Sequence, residues 1–125
     1  MSDLFDPALE PMDRLLQAIL AVAGRCLPEQ VWSGRLEERE DELELELLAR
    51  SLDGEPCPVW TIRVEVYPSG EGRSMMLELP NRPDWPLLWQ GQQPVWMDEQ
   101  GRKCDRPAGG EPLEALARKL RLELN

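Results

Sequence analysis

The densest group of side chains able to do chemistry is a run of seven acids within ten positions, from Glu37 to Glu46. Clustered carboxylates suit a hard cation, which takes several oxygen ligands, but the run lacks an Asp-x-Asp-x-Asp-Gly loop with its distal Glu. Its second half alternates Glu with Leu, and on a strand that pattern turns the glutamates toward solvent. We therefore expect no metal site but a solvated acidic face; the alternative is that Glu42, Glu44 and Glu46 on this face contact a basic protein partner.

Catalytic groups are sparse, because the chain contains no histidine. This removes the usual neutral-pH general base and the Ser-His and Cys-His nucleophile pairs. No serine lies in a nucleophile-elbow motif, and no glycine-rich phosphate loop is present. Cys104 lies among Arg102, Lys103 and Arg106, a setting that can activate a thiol, but we favour an ordinary hairpin residue. We expect no enzyme activity and no cofactor.

Tryptophan and proline cluster in the second half of the chain. The cluster comprises Trp85, Trp89 and Trp96, with Pro83, Pro86 and Pro94 between and around them. Two interpretations remain open. Either the rings form a rigid aromatic groove that binds a partner, since tryptophan is enriched at interface hot spots, or they close the open end of a small core.

The formal net charge of −10 is unevenly distributed. Residues 1–80 contain 17 acids and 7 bases, whereas residues 81–125 contain 7 of each. This charge repels phosphate backbones and disfavours nucleic acid as a partner. The N-terminus lacks the basic region and long apolar run of a signal peptide, and no apolar stretch is long enough to span a bilayer. We expect a soluble cytoplasmic protein with no membrane partner.

Two segments have the apolar spacing of an amphipathic helix. The first begins at Pro11, after a polar lead-in over residues 1–10, and ends near Gly24. Its apolar stripe comprises Leu15, Leu16, Ile19, Leu20, Ala23 and Leu27. The second begins at Glu111 and has acids at its start and bases near its end, as the helix dipole favours. Its stripe comprises Leu113, Leu116, Ala117, Leu120 and Leu124, with Leu122 off the stripe.

Residues 42–51 combine the composition of a helix with the period of a strand. On a helix, Leu43, Leu45 and Leu47 would spread over about 200°, whereas on a strand they share one face. Because burial of a shared face outweighs propensity, we predict a strand here, preceded by a short one at residues 31–36.

Two further strands are predicted at residues 59–67, with Trp60 facing the core, and at residues 74–79. The connections between these strands are too short for a parallel crossover, so the strands form an antiparallel meander.

A loop rich in proline and tryptophan is predicted over residues 80–94. Within it, residues 85–89 lack a clear period and are expected to form an ordered loop or one helical turn. A small hairpin follows, from Val95 to Cys104, with Gly101 in its turn.

These elements predict one α+β domain over residues 1–125. It has an N-terminal amphipathic helix, an antiparallel β-meander of three to five strands, and a C-terminal amphipathic helix packed on one sheet face.

In size, acidity and helix-sheet-helix order, the chain resembles the small acidic secretion chaperones. The resemblance implies a protein that dimerises and wraps a segment of an effector, and it carries over no site residue. Our leading hypothesis is a non-enzymatic, chaperone- or adaptor-like protein-binding module that uses the acidic sheet face and the Trp/Pro-rich loop. The alternatives are an acidic immunity protein that neutralises a toxin, and a small ligand-binding domain or enzyme with pocket carboxylates under the loop.

Overall fold

The computed structural model describes residues 11–70 and 72–124, so the predicted lead-in over residues 1–10 lies outside the described residues. Within the described ranges the chain forms two α-helices, seven strands and a short 3-10 helix. In chain order these are α1 (Pro11–Cys26), β1 (Gln30–Arg39), β2 (Glu42–Ser51), the 3-10 helix (Pro58–Trp60), β3 (Ile62–Ser69), β4 (Gly72–Glu78), β5 (Leu87–Gln90), β6 (Pro94–Met97), β7 (Lys103–Cys104) and α2 (Glu111–Leu124).

The strands form one antiparallel sheet whose spatial order is the same as the chain order, β1 to β7. Each strand therefore pairs with the next one through a short connection, as a meander requires. This confirms the predicted α+β class, with a helix on either side of the meander in sequence. The sheet has seven strands rather than the expected three to five, because β5 forms and connects the hairpin of β6 and β7 to β4.

Strand β2 confirms that the alternating pattern outweighs helix propensity. Leu43, Leu45 and Leu47 are buried on one face, whereas the intervening glutamates are more exposed. The pairing of Leu45 with Val64 on β3, and of Leu47 with Ile62, continues the apolar layer across the sheet. Each fully buried aliphatic side chain of this kind contributes about 1.5–3 kcal/mol.

Both helices bury their apolar stripes against the same face of the sheet, on which the core lies. Helix α1 packs on β1 and on α2, and α2 packs on β4, β5 and β6. In α1 the most deeply buried residues are Ile19, Val22 and Ala23. All five residues of the predicted α2 stripe are buried, and Leu122 is 79% exposed.

Two local predictions are wrong, and a third is confirmed but too short. Residues 85–89 are not all loop or helical turn, because Leu87–Gln90 forms strand β5. This strand pairs with β4 on one edge and with β6 on the other. Trp60 does not lie on a strand: the prolines around Cys57 favour the 3-10 helix, and β3 begins at Ile62. The short strand expected at residues 31–36 extends to Arg39, because it pairs along the whole of β2.

Candidate functional site

The two faces of the sheet have different surroundings. The face covered by the helices, here called the inner face, carries the buried alternate residues of the strands. The opposite, outer face carries the intervening residues, such as Glu44 on β2 and Trp89 on β5. On the outer face Glu65 is exposed, and Glu44, Met76 and Trp89 are partly exposed.

The three tryptophans predicted as a partner-binding cluster are separated by the sheet. Trp96 is 4% exposed and lies on the inner face. Trp85 is half-buried in the loop before β5. Its ring contacts the Trp96 ring edge-on, with the two ring centroids 6.3 Å apart. Trp89 lies on the outer face. The structure therefore does not bring the three rings together in one groove, because Trp89 pairs with Val95 and the next residue, Trp96, points to the opposite face.

Trp85 and Trp96 instead help to close the core beside α2. Trp85 also contacts the edge of Trp60 at 6.0 Å between ring centroids. The guanidinium of Arg82 lies 5.0 Å from both ring centroids, those of Trp60 and Trp85, within the range of a cation–π interaction. These contacts agree with the core-closing interpretation for this part of the cluster.

A buried carboxylate, Glu114 in the first turn of α2, anchors this aromatic group. The indole Nε1 of Trp96 donates to its Oε2 at 2.7 Å, and Arg106 donates to both carboxylate oxygens at 3.0 and 2.9 Å. The hydrogen bonds from Arg106 lower the pKa of Glu114, and the hydrogen bond from Trp96 lowers it further. Burial of the carboxylate opposes them by raising the pKa, but the net effect is a lowered pKa. The carboxylate is thus ionised and fully engaged, which is unsuited to proton transfer at neutral pH.

The outer face presents an ordered row of side chains across six strands, here called the cross-sheet row. Direct pairing places these residues side by side in the order Glu37, Glu44, Glu65, Met76, Trp89 and Val95, from β1 to β6. At the usual strand spacing of about 4.8 Å, the row is roughly 24 Å long. One half of it is acidic and the other half is apolar.

A neighbouring row on the same face is neutralised by ion pairs. Arg35 lies 3.9 Å from Glu46, and Arg63 lies 3.0 Å from Glu78. In the cross-sheet row, Arg39 reaches both Glu37 and Glu44, at 3.1 and 3.2 Å. Glu65 makes no salt bridge to any described residue, so an unpaired negative charge lies at the centre of the outer face.

Tyr67 borders the cross-sheet row where its acidic half meets its apolar half. Its ring lies 5.3 Å from that of Trp89, at an angle of 55°. Partial burial, followed by the negative charges of Glu65 and Glu42, raises the pKa of the Tyr67 phenol above its usual value. The phenol is therefore neutral at physiological pH and offers both a donor and an acceptor beside an apolar surface.

The three acids predicted as partner contacts do share the outer face. Glu42 is exposed at the start of β2, and Glu44 and Glu46 follow at alternate positions. The structure brings them onto the same face as Trp89, three strands away from Glu44.

Sequence reasoning missed Tyr67, Met76 and Val95 as surface residues. For Met76 and Val95, the register between strands is what shows that they lie on the face opposite the helices. The alternation around Tyr67 was a usable signal, because Val64 and Val66 already mark the inner face.

The structure also places the residues considered for metal binding and for a reactive thiol. Among the described residues, no group of three or more His, Cys, Asp or Glu side chains is placed to hold a metal ion. Cys104 is half-buried in β7, and two of the cations near it in sequence are engaged: Arg102 with Asp98, and Arg106 with Glu114.

Fold and surface together define a class: an α+β domain in which two helices cover one face of an antiparallel meander and the other face is open, acidic on one side and apolar on the other. The chain belongs to the DUF8659 family, a domain of unknown function, whose family model matches residues 16–123. No curated protein and no solved structure matches the chain. Neither described helix has the length and apolar character needed to cross a membrane.

Proposed function

We propose that the chain is a non-enzymatic, chaperone- or adaptor-like module that binds a protein partner through the outer face of its sheet. The observation that carries the proposal is the cross-sheet row, in which three glutamates continue directly into Met76, Trp89 and Val95. A partner segment that combines basic and apolar residues complements both halves of this row.

Charge and shape both favour such a partner. Glu65 has no salt bridge within the described chain, so an incoming lysine or arginine gains a charge that is otherwise unpaired. Trp89 and Tyr67 offer large, rigid rings of the kind that dominate binding energy at interfaces. Leu48, 43% exposed on the same face, offers a separate apolar contact next to Glu46 on β2.

The remaining features fit a binding role rather than catalysis. The most buried carboxylate, Glu114, is fully hydrogen-bonded, and the chain has no histidine to act as a general base. Cys26, Cys57 and Cys104 are free thiols, which suits a reducing compartment and supports our placement of the protein in the cytoplasm.

The proposal is tested by quantitative affinity purification at low salt with the double variant Glu44→Lys and Glu46→Lys. A matched control carries the same charge change away from the outer face, at the exposed residues Glu99 and Glu123. We expect wild type and control to retain the same partner, and the outer-face variant to retain at least tenfold less of it.

Trp89→Ala examines the apolar half of the row independently and is expected to reduce retention to a similar extent. Equal retention by the outer-face variants and the control would refute binding at this face. A partner that proves to be a toxin whose activity the chain inhibits would favour the immunity function instead.

A further inference from the structure

A pocket opens on the helix side of the sheet, away from the outer face. Its walls are three tryptophans, Trp32, Trp60 and Trp85. Aliphatic side chains complete the lining, namely Leu27, Ile62, Leu79, Pro112 and Leu113. Glu29, Gln30 and Gly109 supply the rest. The pocket volume is ≈ 160 Å³.

The aromatic walls are held by contacts of their own, so the pocket is preformed. The indole Nε1 of Trp32 donates to the carbonyl oxygen of Leu27 at 3.2 Å. Trp60 and Trp85 fix each other edge-on, and Arg82 lies against both rings. A ligand would not have to order these side chains, which removes one of the main costs of binding.

The size and lining of the pocket restrict what it can take. An apolar cavity of about 150 Å³ holds one benzene molecule, so this pocket has room for a single ring. Glu29 is the charged side chain among the lining residues and is exposed, whereas the nearby Arg82 guanidinium is already engaged with the Trp60 and Trp85 rings. Its carboxylate, in a chain with a net charge of −10, disfavours an anionic ligand.

We propose that this pocket binds a small molecule that contains one apolar ring and carries no negative charge. The site is separate from the protein-binding face and adds a ligand-binding activity to the proposed function. Leu27 and Leu79 contact the ring from the aliphatic side, and the three tryptophans enclose it. The exposed Glu29 carboxylate disfavours a negatively charged substituent on the ring.

The test is ¹⁹F NMR of the full chain labelled with 5-fluorotryptophan, with resonances assigned from single Trp→Phe variants. The ligands are toluene, benzylamine and phenylacetate, which share one ring and differ in charge. We expect toluene and benzylamine to shift the resonances of Trp32, Trp60 and Trp85, and phenylacetate to bind at least fivefold more weakly. Trp89, on the opposite face, is the internal control and should not shift.

Three variants separate binding from folding and test the charge preference. Leu27→Phe, at a half-buried position, fills part of the pocket and should weaken toluene binding at least tenfold. Leu122→Phe makes the same change at an exposed position of α2 and should leave the affinity within twofold of wild type. Glu29→Lys, at an exposed position, should reverse the preference between benzylamine and phenylacetate without changing toluene binding.

Several results would overturn the proposal: no shift of the three pocket tryptophans at saturating toluene, shifts that include Trp89 equally, or unchanged toluene affinity in Leu27→Phe. A phenylalanine-containing peptide that shifts these resonances where toluene does not would assign the pocket to a partner's side chain and overturn the small-molecule assignment. Loss of protein binding in the outer-face variants leaves each of these readouts unaffected.

Discussion

The contacts of Glu114 show how a single acid can be structural in a chain that has many exposed ones. Its carboxylate joins the first turn of α2 to β6 through Trp96, and to the preceding loop through Arg106. Glu111, one turn earlier, also reaches Arg106 at 3.1 Å, but its side chain is 78% exposed. The two acids thus share one cation and differ in burial.

We expect Glu114→Gln to lower the free energy of unfolding at pH 7 by about 1–2 kcal/mol, because it removes charge-assisted hydrogen bonds at a buried position. The pKa of Glu114 is lower in the folded state than its ordinary value of 4.5. Its stabilising contribution is therefore complete above pH 4.5 and disappears as the pH falls through the lowered pKa. Urea unfolding followed by circular dichroism at several pH values measures the difference from wild type.

Glu111→Gln is the matched control and should change stability little at any pH, since exposed ion pairs contribute little. A difference between Glu114→Gln and wild type that stays constant down to pH 3 would show that the carboxylate charge does not stabilise the fold.

At the scale of the elements, most of the fold is readable from the sequence. The apolar stripes predict both helices, and the alternation of Leu43, Leu45 and Leu47 correctly predicts β2. Strand β5 was missed for a physical reason: Trp89 faces the open side, while Gln90 faces inward and is 1% exposed. The usual rule of apolar inside and polar outside is thus reversed at two adjacent residues.

The candidate site was less predictable than the fold. That Glu44 and Glu46 share a face follows from their spacing alone. Trp89 lies on the same face as these glutamates, whereas Trp96 does not. The reason is that Trp89 pairs with Val95, so Trp96, the residue after Val95, points to the inner face. Register across several strands is a tertiary property, and one residue of slip reverses every side chain.

The hairpin of β1 and β2 depends on a close approach at Gly34. A Cβ atom at this position would collide with the carbonyl oxygen of Glu46 and come within 3.3 Å of the Leu47 side chain. We expect Gly34→Ala to lower the free energy of unfolding by about 1–3 kcal/mol, as overpacking does elsewhere. Thermal and urea unfolding both measure the change.

Gly24→Ala, in the last turns of α1, is the matched control, because a Cβ there meets no atom within 4 Å. It should stabilise the protein by about 0.5–1 kcal/mol through helix propensity. Equal effects of the two substitutions would contradict the close approach of β1 to β2.

At the scale of the whole molecule, the two proposed binding sites differ in charge. The outer face combines glutamates with Trp89 and Tyr67, and the pocket on the helix side is lined by aromatic and aliphatic groups. The two sites should therefore respond differently to ionic strength, because screening acts on exposed charges and has little effect on burial of an uncharged ring.

We expect the association rate of the protein partner to fall at least tenfold when the ionic strength is raised from about 0.05 M to about 0.5 M. The affinity for toluene should stay within twofold over the same range. Stopped-flow fluorescence and ¹⁹F titration measure the two quantities. A salt-independent association rate would mean that the acidic half of the cross-sheet row does not guide the partner.

The one-to-seven strand order also has a kinetic consequence. Every pairing in the sheet joins consecutive strands, so each can form by closing a short loop, at a low entropic cost. The packing of α1 on α2 instead joins elements near opposite ends of the described chain. We infer that the hairpins form early and reversibly, and that the packing of α1 on α2 is the later, rate-limiting step of folding. Folding speed then depends more on the stripes of α1 and α2 than on the sheet that they cover.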